Sequence, residues 1–191
     1  VLYAGLPGEA GGEAIVNLLF GKVNPSGKLA ETWPIAYDDC VCKDYYGAPY
    51  KDAQYREGIY VGYRYYETAG VKVQFPFGYG LSYTKFEYRD LQVEGNKVTC
   101  IAENTGSLAG KEIVQLYIEQ ISENVYRPKR ELKAFEKIEL KAGESKRVTF
   151  ETDDRSFSIW QNGWVVPKGE YKICVGASCE DIRLEQVIRK E

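Results

Sequence analysis

The chain has 191 residues, room for one domain or for one domain and part of a second. A formal net charge of −3 argues against a nucleic-acid partner. No apolar run approaches the ~20 residues that a membrane-spanning helix requires, so no membrane partner is expected.

Residues 1–36 read as a strand, a helix and an extended exit. Val1-Leu-Tyr-Ala4 has the composition of a short buried strand. In Glu13 to Phe20, Ile15, Val16, Leu18 and Leu19 fall on one helical face. Gly21 stands where a helix-terminating glycine takes a left-handed conformation. Asn24-Pro-Ser-Gly27 is turn chemistry, and Pro34 closes the segment. A unit this small does not fold alone, because chains below about 40 residues need staples or partners. Its apolar face must be covered by something, and where nothing covers it the segment is expected to be disordered, to fold back on the sandwich or to drive self-association. The chain opens at Val1 and contains no Met, which fits a processed or excised segment.

Residues 37–81 read as a connector with little regular structure until Ile59-Tyr-Val-Gly-Tyr-Arg-Tyr-Tyr66. Twelve of the 26 aromatic residues fall between Tyr45 and Tyr83, too many for a disordered tether. The connector is therefore expected to be ordered and packed on a neighbour. Tyr45, Tyr46, Tyr50 and Tyr55 offer a sugar-stacking platform as an alternative to packing. That alternative would make the chain a non-catalytic carbohydrate-binding module.

From Ser82 to Glu191 the pattern changes to short alternating strands with one buried face. Phe86 to Val93 and Lys97 to Asn104 flank the hairpin signal Glu94-Gly-Asn96. In Glu112 to Glu119, Val114, Leu116 and Ile118 share a face. Further runs are Glu131 to Leu140, Ser145 to Glu151, Ser156 to Gln161, Glu170 to Ala177 and Asp181 to Ile188. Asn162-Gly163, between Trp160 and Trp164, predicts a type I′ hairpin. Seven or eight strands in this length predict an immunoglobulin-like sandwich.

Taken in order, Gly5-Leu-Pro-Gly8, Gly11-Gly12, Leu19-Phe-Gly21, Asn24-Pro-Ser-Gly27, Thr32-Trp-Pro34, Arg56 to Arg64 and Phe75 to Thr84 resemble the C-terminal end of glycoside hydrolase family 3. Asn104-Thr-Gly106, Gly110 to Tyr117, Arg127-Pro128 and Glu131 to Lys137 resemble the fibronectin type III-like domain found there. Ala134 and Ala30 depart from the family pattern. The resemblance implies a mainly β fold: a strand–helix remnant of an α/β sandwich domain (1–36), an aromatic-rich linker (37–81) and a fibronectin type III-like domain (82–191). It also implies a parent enzyme that hydrolyses β-glycosides with retention, best matched to β-glucosides. The partners it implies are the parent's α/β sandwich and β/α barrel domains, with an oligosaccharide as substrate.

Such hydrolysis needs two carboxyls about 5–5.5 Å apart, a nucleophile and an acid/base. No motif here matches either position in the family, so no catalytic residue is expected and the chain alone is expected to be inactive. Asp38-Asp39 and Asp153-Asp154 read as solvated turns, since adjacent side chains on an extended chain point opposite ways. Within Tyr55-Arg56-Glu57, a candidate edge of the parent's substrate cleft, Glu57 is expected to pair with Arg64 or Arg56. Arg127, Lys129 and Arg130 read as a solvated basic loop. Gly8-Glu-Ala-Gly-Gly12 opens a helix after a strand without a dinucleotide or phosphate-loop spacing, and reads as a tight turn with close packing. No cofactor is expected. Cys40-x-Cys42, with no histidine in the chain, makes no metal site. The five cysteines (Cys40, Cys42, Cys100, Cys174, Cys179) read as reduced and structural, which points to a cytoplasmic rather than a secreted setting.

Overall fold

A computed structural model describes residues 1–47, 53–121 and 125–191. Seven strands form the sandwich. Strands β3 (Phe86–Glu94), β4 (Lys97–Asn104) and β7 (Ser145–Glu151) make a three-stranded sheet in the order β3-β4-β7. Strands β5 (Gly110–Gln120), β6 (Glu131–Leu140), β10 (Gly169–Gly176) and β11 (Ile182–Lys190) make the second sheet, ordered β11-β10-β5-β6. All the pairings are antiparallel. Alternation drives the packing: Val98, Cys100 and Ala102 of β4, and Val114, Leu116 and Ile118 of β5, point into one core. Tyr88, Ile138, Leu140, Val148, Phe150, Phe157, Tyr171, Ile173, Val175 and Ala177 join it.

The β3–β4 turn has Gly95 at φ +59°, as its two-residue hairpin requires. The run Ser156 to Gln161 is not one strand. Asp153 Oδ1 accepts a 2.8 Å hydrogen bond from Ser156 N, which caps a helical turn, α3 (Asp154–Phe157). Only Ile159–Trp160 (β8) remains extended, paired with Trp164–Val165 (β9). Asn162 takes φ +56° at the tip of that hairpin and Gly163 takes φ 158°, so the turn is not the two-residue type I′ form.

Ahead of the sandwich, helix α1 spans Gly11–Leu19, and Gly21 follows at φ +70° with its N–H bonded to Leu18 O. Val1 to Ala4 is not a strand: it is irregular and exposed, and no strand pairs with it among the described residues. An extended segment needs a neighbour for its backbone groups. The next segment is well anchored. Trp33–Pro34 (β1) pairs with Val73–Phe75 (β2), and Leu29 exchanges backbone bonds with Tyr79 and Gly78. The stretch Ile59 to Tyr66 becomes helical where its tyrosines lie three apart, as α2 (Tyr63–Ala69). Tyr63 and Tyr66 thereby turn to the same side.

Candidate domain-docking site

The outer face of the four-stranded sheet is not left to solvent. Tyr117, Cys174 and Cys179 are buried there under Tyr63 and Phe77 of the connector. The Tyr63 ring stacks on Phe77 with centroids 4.8 Å apart and meets Tyr117 edge-on at 6.2 Å. Its hydroxyl accepts a 2.7 Å bond from Leu132 N. Thr68 Oγ1 accepts from Lys129 N at 3.0 Å. Tyr63, Thr68 and Phe77 of the connector thus pack on the sandwich that follows.

Buried charges hold the same junction. Arg127 and Arg130, expected in a solvated loop, are each only 8% exposed. Arg130 Nη1 lies 2.9 Å from Glu67 Oε1 on α2, and its Nη2 lies 3.1 Å from Glu119 Oε2 on β5. Arg127 pairs with Glu131 and donates to Phe157 O at 3.0 Å. Burial is what makes this pairing compulsory, since an isolated guanidinium in a dry site is far too costly. Burial pushes the Glu67 carboxyl up to about 7, against the pull of Arg130 and Lys129. Glu131 goes the other way: burial opposes its charge, but Lys133, Arg127 and Arg64 outweigh it and hold the carboxyl below its usual value.

A second tie joins the N-terminal segment to the sandwich. Lys28 Nζ reaches Glu112 Oε1 at 3.1 Å in a nearly buried pair, and Tyr88 OH donates to the same oxygen at 2.9 Å. Asn24 Nδ2 donates to Ala109 O at 3.0 Å, while its Oδ1 accepts from Ser82 Oγ and Tyr83 N. Helix α1 itself is held far less. Leu18 O accepts from Tyr83 OH at 2.8 Å, yet Leu19 is 64% and Phe20 78% exposed, with Val16 and Leu6 also open. This apolar surface is continuous with no partner among the described residues.

The structure places Tyr55, Arg56 and Glu57 together on a surface turn. Tyr55 is 89% exposed, Arg56 is exposed and Glu57 is half-buried. Glu57 makes no ion pair among the described residues. Arg64 instead faces Glu131 at 4.0 Å, and Arg56 Nε donates to Gln54 Oε1 at 2.7 Å. The Arg56 guanidinium covers the Tyr45 ring at 5.3 Å, which occupies a face that a sugar would need. Tyr46 is exposed, and Tyr50 lies outside the described residues. Asp38 and Asp39 behave as turn residues, with Asp39 Oδ2 accepting from Ala36 N at 3.0 Å. The buried glycine Gly11 lies so close to Pro7 that a Cβ would sit 2.6 Å from Pro7 Cγ.

Against known families, residues 1–83 match the glycosyl hydrolase family 3 C-terminal domain, and residues 112–179 match the fibronectin type III-like domain. The chain belongs to glycoside hydrolase family 3, in its C-terminal region. Thermostable beta-glucosidase B of Acetivibrio thermocellus is 46% identical over 99% of this chain and 26% of its own length. An exo-alpha-(1->6)-L-arabinopyranosidase of Bifidobacterium breve is 42% identical over 95% of this chain and 25% of its own length. The structure of beta-glucosidase 3B from Thermotoga neapolitana in complex with glucose matches with a TM-score of 0.88 at 43% identity, covering 94% of this chain and 26% of that one. The family 3 chain therefore spans about a quarter of the length of these relatives.

Proposed function

We propose that this chain works as the non-catalytic C-terminal part of a retaining β-glucosidase and braces the enzyme's α/β sandwich domain. The division intended is 1–36 as the end of that domain, 37–81 as the linker and 82–191 as the fibronectin type III-like domain. One observation carries the reading: near-complete alignment of the chain to only a quarter of enzymes named for β-glucoside cleavage. The open face of α1 supports it, since Val16, Leu19 and Phe20 are the kind of surface that a neighbouring domain covers. The substrate of the whole enzyme would be an oligosaccharide with a terminal β-linked glucose. The relative named as an arabinopyranosidase is the reason to test more than one sugar.

The test mixes the chain with a form of the Acetivibrio beta-glucosidase B truncated by its matching quarter, and follows nitrophenol release from aryl β-glucosides and α-L-arabinopyranosides. Bracing predicts no release by the chain alone and recovery of activity on mixing. Turnover by the purified chain alone overturns the proposal.

A further inference from the structure

The connector and the sandwich meet around one cation that serves two anions. Glu67 reaches Arg130 from α2, and Glu119 reaches it from β5. The Glu67 side chain is only 7% exposed, and its Oε2 has no hydrogen-bond partner among the described residues. Arg130 Nε is equally buried and unpartnered. Arg130 Nη1 divides its bonding between Glu67 and the Cys179 carbonyl. The remaining neighbours that Glu67 faces are Lys129 and Glu180 as charges, with Tyr117 and Cys179 as uncharged groups. With Glu67 ionised these charges sum to −1: three carboxylates against Arg130 and Lys129. Half of the Glu67 charge then rests on an oxygen with no protein donor among the described residues, an arrangement poorly able to hold it. A groove of about 400 Å³ lined by Tyr66, Glu67, Lys72, Lys129 and Glu180 opens beside the cluster and lets a proton reach it.

We propose that the Glu67–Arg130–Glu119 cluster is a proton-operated latch, which seats α2 on the sandwich when Glu67 is protonated and loosens α2 when Glu67 ionises. The direction follows from linkage. A carboxyl that holds its proton more tightly when buried than when hydrated stabilises the seated state at low pH, and that stabilisation is lost as pH rises toward the buried value. Burial pushes this carboxyl up to about 7 from an ordinary 4.5, so the active window is the interval between those values. Opening of α2 should then grow about 40-fold between pH 5 and 7, and only about twofold more by pH 8.

The test is amide hydrogen exchange in the full chain, corrected for base catalysis, read at Glu67 to Val71 and referenced to β5 and β10. The expected result is a loss of protection across pH 5 to 7 that is confined to α2 and absent in Glu67→Gln. Constant α2 protection overturns the latch, as does an equal pH dependence in Glu67→Gln. A second measurement stands without the variant: the Glu67 carboxyl carbon, followed by NMR in the native chain, should titrate near 7. A midpoint near 4.5 also overturns the latch.

Discussion

Asn104 is the residue whose loss should cost the sandwich most for its size. It is fully buried, and its side chain makes four hydrogen bonds. Oδ1 accepts from Thr84 Oγ1 at 2.7 Å and from Gly106 N at 3.1 Å. Nδ2 donates to Leu108 O at 2.8 Å and to Leu140 O at 3.2 Å. The residue thus ties the segment just ahead of β3, the β4–β5 loop and the end of β6 to one point. In Asn104→Ala those four partners stay behind in a buried place. At about 1 kcal/mol net for each bond, the loss is about 3–4 kcal/mol. At roughly 3 °C per kcal/mol for a chain of this size, the melting midpoint should fall about 10 °C. Thr84→Val removes a single bond of the four and should cost about 1 kcal/mol. Differential scanning calorimetry of both variants reads the comparison. A fall of about 2 °C or less in Asn104→Ala, or one no larger than that of Thr84→Val, would refute the hub argument.

Three further outcomes are expected. Gly78 sits at φ +81°, and a Cβ there would press into the Gln115 amide, 2.9 Å from Nε2. Gly78→Ala should therefore lose about 2 kcal/mol in urea unfolding, and a neutral result would mean that Gln115 is free to move away. With a thiol-reactive chromophore, Cys40 and Cys42 should react in the native chain while Cys100, Cys174 and Cys179 wait for unfolding. Burial pushes the Cys100 and Cys174 thiols up to about 11, which withholds the reactive thiolate as well as access. More than two fast thiols would contradict this. Acid should act on Glu131 in the sense opposite to Glu67. Its carboxyl is held below the ordinary 4.5, so its contribution is complete above that value and disappears as pH falls through the depressed one. Glu131→Gln should flatten the loss of stability below about pH 4.5, and an unchanged acid limb would remove Glu131 from the account.

Local pattern carried the strands because their cause is local. Alternation in Lys97 to Asn104 and Ser145 to Glu151, together with a Gly95-Asn96 turn, leaves one register in which the apolar sides coincide. Ser156 to Gln161 misled because Asp153 reads as a solvated acid. Its spacing to Ser156 is a capping signal, present in the sequence and given too little weight. The charge cluster was beyond local reading. Glu67 and Arg130 are 63 positions apart, so a basic loop and an acidic helix each look solvated until the fold joins them. One hint was available. The run Val114 to Ile118 is apolar on both sides apart from Gln115, and a strand with two apolar sides is covered on both. Tyr117 was the residue that announced the connector's seat.

That double coverage changes what the fibronectin type III-like unit is. Its inner core lies mainly between the two sheets, with Phe157 of α3 added, which is enough to fix their pairing. Its outer face is completed, among the described residues, with side chains that precede Ser82: Tyr63, Phe77 and Glu67. Arg130 draws the same conclusion from charge. A guanidinium buried at the surface of the sheet takes its counter-charge from Glu119 of β5 and a further acceptor from Glu67 of the connector. Helix α1, held through the Tyr83 hydroxyl and half-buried only at Ile15, Asn17 and Leu18 beyond the buried Gly11, has no comparable tie among the described residues. The chain is asymmetric in consequence: residues 24–34 and the described part of the connector are tied to the sandwich, while Val16, Leu19 and Phe20 at α1 stay exposed.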